Sequence, residues 1–158
     1  MKKSALSLSP ALAILLFGAL SMAQAKPNFS GEWKFDAEKS NFGPMPTPSI
    51  FTRKITQNDP KLHVVTTQSG PQGERTSEAE YSTDGTEVVN KTRGAEAKST
   101  AAWEGEALNI TTKIDVEGNS IVLKEKWTLS GDGKLLTTAL HATTPQGEFE
   151  ITIVMNKQ

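Results

Sequence analysis

The chain has 158 residues, no cysteine, 17 Lys and Arg against 18 Asp and Glu, and 6% aromatic residues. That is one domain's worth of chain with almost balanced charge, which excludes the electrostatic footprint of a nucleic-acid or anionic-membrane binder. The absence of thiols excludes a disulfide scaffold, thiol catalysis, iron–sulfur clusters and thiolate zinc sites.

The first 25 residues read as a cleaved export signal. Lys2 and Lys3 form a basic start, Ala11–Leu20 is an uncharged apolar run, and Ala23-Gln24-Ala25 is an A-x-A cleavage site. The alternative, an uncleaved anchor, needs about 20 apolar residues, and here Pro10 opens the run and Ser21 and Gln24 cut it short. No cysteine stands at the cleavage point, so the lipoprotein route is closed. The expected product is a single domain, residues 26–158, placed in the periplasm or outside the cell, with 15 basic and 18 acidic residues and no further membrane span.

From there the chain alternates strand and turn. Asn58-Asp59-Pro60, Ser69-Gly70-Pro71, Asp84-Gly85, Glu104-Gly105, Glu117-Gly118-Asn119, Gly131-Asp132-Gly133 and Pro145-Gln146-Gly147 punctuate it at hairpin spacing. Between them the period is two. Leu108, Ile110, Thr112 and Ile114 share a face, as do Ile121, Leu123, Glu125, Trp127 and Leu129, and then Phe149, Ile151, Ile153 and Met155. The expected strands are 29–35, 50–57, 61–68, 75–82, 86–91, 96–103, 107–114, 120–129, 134–143 and 148–155. Asp36–Lys39 has room for one helical turn, and residues 43–48 then hold three prolines, a stiff extended connector. The fold class is therefore all-β: an antiparallel up-and-down meander of about 8–10 strands that either stacks as two sheets or closes into a barrel. Closure is favoured because it removes exposed edges; a closed barrel is expected to be a monomer, whereas a split one exposes an edge to a second copy.

Gly31-Glu32-Trp33 opening the first strand of a meander resembles the calycins, the lipocalins and fatty-acid-binding proteins. By that resemblance Gly31 and Trp33 plug the closed end of the barrel. The run from Gly31 through Lys39-Ser40-Asn41-Phe42, together with Tyr81-Ser82-Thr83-Asp84-Gly85 and Ser130-Gly131-Asp132-Gly133-Lys134, is similar to a family of exported bacterial lipocalin-like proteins, largely of unknown function. The chain departs from its models. Residues 36–49 are too short and proline-rich for the two lid helices of a fatty-acid-binding protein, and the chain ends in a strand rather than a lipocalin's helix.

Three polar residues fall on apolar faces, where an unpaired charge is costly. Arg53 lies with Phe51 and Ile55, Glu125 with Leu123 and Trp127, and His141 with Leu135, Thr137 and Ala139. As cavity anchors, they offer Arg53 as a fork for a ligand carboxylate. The alternatives are an Arg53–Glu125 pair, a position at the barrel mouth, and a His141 on a face of mixed character. Trp33, Trp103 and Trp127 are expected in the core, Trp103 and Trp127 with a possible stacking role. His63 and His141 lack paired metal-ligand spacing, and Asp84-Gly85 and Asp132-Gly133 read as hairpin turns rather than calcium loops. No G-x-S-x-G, P-loop or H-E-x-x-H occurs, and no cofactor is implied. The expected function is non-enzymatic binding of a small apolar or amphipathic molecule in the bacterial envelope. The alternative is a filled barrel serving as an interaction scaffold that presents Gly43–Pro48 and Ser69–Gly73.

Overall fold

Short Thr-, Val- and Ile-rich segments cut by Gly, Asn and Asp turns form ten strands in chain order. The computed structural model describes residues 25–71, 73–92 and 94–158, so all but the last residue of the expected leader lies outside it. The strands are β1 (Gly31–Phe35), β2 (Ile50–Asn58), β3 (Lys61–Gly70), β4 (Gly73–Ser82), β5 (Val88–Thr92), β6 (Ala95–Glu104), β7 (Ala107–Val116), β8 (Asn119–Leu129), β9 (Leu135–Thr144) and β10 (Gly147–Lys157). All ladders are antiparallel, in the order β4-β3-β2-β1-β10-β9-β8-β7-β6-β5. The sheet curls until β4 and β5 approach each other, giving a nearly closed up-and-down barrel with no helix among the described residues.

Two strands start two residues later than the sequence reading expects. The first begins at Gly31 rather than residue 29, because Phe29 turns inward and its carbonyl accepts the Trp33 indole N–H at 2.9 Å. The fifth begins at Val88 rather than residue 86, because Asp84 caps the preceding turn. Its carboxylate accepts from Ser82 Oγ at 2.7 Å and from the Thr86 N–H at 2.9 Å. Asp132 does the same in the β8–β9 turn, accepting from Ser130 Oγ and the Lys134 N–H. Both carboxyls are held below their ordinary range, Asp84 foremost by the Thr86 N–H and Asp132 by the Ser130 hydroxyl. These Asp-Gly pairs act as turn caps.

The connector between β1 and β2 runs on along β10. Asn41 and Thr152 exchange backbone hydrogen bonds of 2.7 and 2.8 Å. Gly43 then passes so close to β10 that a Cβ would lie 2.8 Å from the Glu150 carbonyl oxygen, at φ +56°, so only glycine fits there without strain. Asp36 ties this corner together. Its carboxylate accepts from Lys39 Nζ at 2.8 Å and from Asn156 Nδ2 at 3.1 Å, and chiefly the Lys39 bond lowers its pKa from 3.8 to about 2. The stability this contributes is complete above the ordinary carboxylate pKa and is lost as the pH falls from about 4 toward 2. Acid titration of unfolding should show that loss, and Asp36→Asn should flatten it; an unchanged profile would deny the tie any role.

The interior is filled from two sides. At one end, Phe29 stacks on Trp103 (5.6 Å, 3°) and meets Trp127 edge-on (5.7 Å, 88°), above the fully buried Trp33. At the connector end, Phe42 meets Phe35 at 5.4 Å and Phe51 at 6.4 Å in edge-to-face contacts. Such pairs are favoured by the ring quadrupoles beyond the area they bury. Ile55, Leu62, Leu108, Ile110, Leu136, Ile151, Ile153 and Met155 close the core between them.

Candidate functional site

Inside the barrel lies a lumen of about 180 Å³ on the β3–β8 side. Its apolar wall is Val64, Ile114, Leu123 and Trp127; its polar wall includes Thr66, Ser77, Ser99 and Thr112. Ser99 and Thr112, opposite each other on β6 and β7, hydrogen-bond at 2.9 Å. Every second residue of a strand faces inward, so threonine and serine at those positions leave space where leucine would fill it.

Arg53, Glu125 and Tyr81 meet in this lumen. Arg53 comes from the middle of β2 and its side chain is only 10% exposed. One guanidinium N–H donates to Thr138 Oγ1 at 3.1 Å, and the group lies 5.0 Å from the Trp127 ring and 5.4 Å from Phe51. Its Nε is buried with no hydrogen-bond partner. Glu125, 14% exposed, places Oε2 3.9 Å from Arg53 Nη2, longer than a charge-assisted hydrogen bond of about 2.7–2.9 Å. The same oxygen accepts the Trp127 indole N–H at 2.8 Å. Burial, and next the Glu125 carboxylate, push the Tyr81 phenol well above its ordinary range, with Arg53 partly opposing. Tyr81 therefore stays a neutral hydroxyl at physiological pH. The group thus offers unused guanidinium donors, a carboxylate already oriented by an indole, and a neutral phenol, all beside an aromatic wall.

The sequence placed Arg53 and Glu125 on inward faces, and the structure brings them together with Trp127. Trp103 lies elsewhere, in the aromatic plug against Phe29, where its buried Nε1 finds no acceptor and Lys26 Nζ sits 5.7 Å from its ring. His141 needs correction as a lumen residue: it is on the outer face. The inward residues of β9 are Leu136, Thr138, Leu140 and Ala142, while the His141 side chain, 40% exposed, lies 3.8 Å from both Glu148 and Glu150. Leu135 beside Leu136 makes both faces of β9 look apolar, and only pairing with Glu125 and Trp127 of β8 decides between them. Gly31 and Trp33 lie at the plugged end. A Cβ on Gly31, at φ +145°, would sit 2.8 Å from Lys157 Cε, whose ammonium lies 5.3 Å from the Trp33 ring.

Sequence reasoning missed Thr138 and used Tyr81 only as part of the run that carries the family resemblance. Tyr81 alternates with Ala79 on one face of β4, a signal that was present; Thr138 becomes visible only through its register opposite Trp127. A second hollow, about 410 Å³, lies outside the lumen between the connector and the β3–β4 turn, lined by Phe42, Met45, Pro46, Pro48, Gln68 and Arg75 among others. It joins the two loops singled out in the sequence.

These features define a ten-stranded, antiparallel up-and-down barrel, nearly closed, a fold shared with solved fatty-acid- and bile-acid-binding proteins. The zebrafish ileal bile acid-binding protein, solved with cholic acid, superimposes with a TM-score of 0.55 at 18% identity, covering 82% of this chain and 98% of that one. Human cRBP IV gives 0.56 at 15%, covering 84% and 99%. Secretory abundant heat soluble protein 4 from Ramazzottius varieornatus gives 0.56 at 16%, covering 86% and 99%. No protein-family model and no curated protein matches the sequence.

Proposed function

We propose that this chain is an exported, non-enzymatic barrel of the bacterial envelope that binds a small amphipathic molecule in its lumen. The observation that carries the proposal is Arg53: a guanidinium fixed on the lumen wall by Thr138 and two aromatic rings, with donors left unused. A ligand's acceptor or anionic group takes those donors, and its apolar part lies against Trp127, Leu123 and Ile114. The size is restrictive. At about 180 Å³ the lumen lies under the roughly 300–1,000 Å³ of drug-sized ligand sites. It suits a compact molecule with hydroxyl-matching groups better than a long acyl chain. The bile acid-binding barrel solved with cholic acid supports a binding role, and the leader-like residues 1–25 support export.

Native mass spectrometry of the 26–158 chain recovered from the periplasm tests this directly. The expected result is a discrete extra mass that is absent in Arg53→Ala. A bare mass, with nothing extractable, would overturn the binding reading. It would favour the second one, a scaffold whose 410 Å³ hollow, flanked by the exposed Met45 and Ile50, receives a protein segment.

A further inference from the structure

We propose that small molecules reach the lumen through the seam between β4 and β5, and that Asn90 is the clasp that holds this seam shut. The passage matters for function only if the lumen carries a ligand, so the proposal rests on the reading above, but its test does not.

Nine strand pairs of the barrel are joined by ladders, whereas β4 and β5 stand at the two ends of the sheet, with no ladder between them among the described residues. The Asn90 side chain bridges them instead. Its Oδ1 accepts the Glu80 N–H at 2.8 Å, and its Nδ2 donates to the Glu80 carbonyl at 2.9 Å. One amide thus imitates the two bonds that a paired strand residue would make. The base of the seam is tied separately, where the Gly85 N–H donates to the Ala101 carbonyl at 2.9 Å. Above Glu80, β4 is laddered to β3 on its other edge, while Gly73–Glu78 is exposed throughout and carries no large apolar side chain to anchor it in the core.

The lumen reaches this seam, since its lining includes Ser77 and Ala79 from β4 and Asn90 and Thr92 from β5. The other ways in are obstructed. Phe29, Trp33, Trp103 and Trp127 fill one end, and interlocked Phe35, Phe42 and Phe51 fill the connector side. A route through either end requires moving aromatic groups out of the core. A route through the seam requires breaking two solvent-facing hydrogen bonds, which is far easier, as local openings draw on regions with few buried apolar contacts.

The chain has no cysteine, so Ser99→Cys installs a single reporter thiol at a fully buried lumen position. Its reaction with methyl methanethiosulfonate, followed by mass, reads how often the lumen opens. Adding Asn90→Ala should speed labelling roughly tenfold, the scale expected when two modest hydrogen bonds are lost together. Asn90→Asp retains an acceptor for the Glu80 N–H but not the donor, and should fall between. Pro46→Gly, loosening the connector, should leave the rate within about twofold. Labelling should also depend weakly on urea, marking local opening. Equal rates with and without Asn90, acceleration by Pro46→Gly instead, or a urea dependence as steep as global unfolding would each overturn the seam. Should Asn90→Ala fail to fold, Asn90→Asp and hydrogen exchange at the Glu80 amide, expected to open independently of global unfolding, decide the matter. A chain that labels as expected yet carries no extra mass overturns the binding reading alone.

Discussion

Replacing Trp33 by alanine is expected to cost about 3–5 kcal/mol of folding stability, the range for removing a large aromatic from a packed core. Trp33 is among the largest fully buried side chains, and its indole N–H is the donor to Phe29 O at 2.9 Å. That bond holds the entering segment so that Phe29 stacks on Trp103 and meets Trp127. Truncation therefore opens a cavity and loosens a second aromatic. Against the roughly 5–15 kcal/mol typical of a whole domain, the loss is large. Trp33→Phe keeps most of the packing but leaves the Phe29 carbonyl without its donor, and should cost about 1–3 kcal/mol. Urea unfolding of the 26–158 chain, followed by circular dichroism, measures both. A loss under about 1 kcal/mol for Trp33→Ala would show that the plug is not a stabilising element.

The second large effect concerns the lumen pair. Glu125→Ala removes the carboxylate that faces Arg53 and accepts the Trp127 indole N–H. It leaves the guanidinium without its counter-charge and the Trp127 indole without its acceptor in a nearly closed space, at a cost of about 3–5 kcal/mol, the range for breaking a buried pair from one side. Arg53→Met combined with Glu125→Gln behaves differently. The glutamine carbonyl still accepts from Trp127, and no charge remains inside, so this double variant should be close to the unmodified chain in stability and at least about 2 kcal/mol above Glu125→Ala. The contrast separates two roles. A pair kept only for stability would be weakened by either change, whereas a pair kept for a ligand allows the neutral replacement to fold well and empties the lumen. Equal destabilisation by both variants would count against the second role.

Much of this was legible in the chain. All ten strands follow from turn residues and a period of two, because both are local: Asp84-Gly85 and Ser130–Lys134 set their turns through side-chain caps within a few residues. Arg53 and Glu125 stood out because each interrupts an apolar face. The faces of β9 were not legible, since Leu135 and Leu136 make both plausible, and His141 was placed on the wrong one. Nor was the pairing of Thr138 with Arg53, which are 85 residues apart.

The sequence alone determined the fold class, the strand count and the charged residues that turn inward, because alternation and turn chemistry act over a few residues. Only the tertiary structure decided that the lumen is small and hydroxyl-lined, that Phe42 folds back onto Phe35 and Phe51, and that Asn90 spans a seam with no ladder. Those features depend on how far the sheet curls and in which register its strands meet, sums over the whole barrel that no single segment carries.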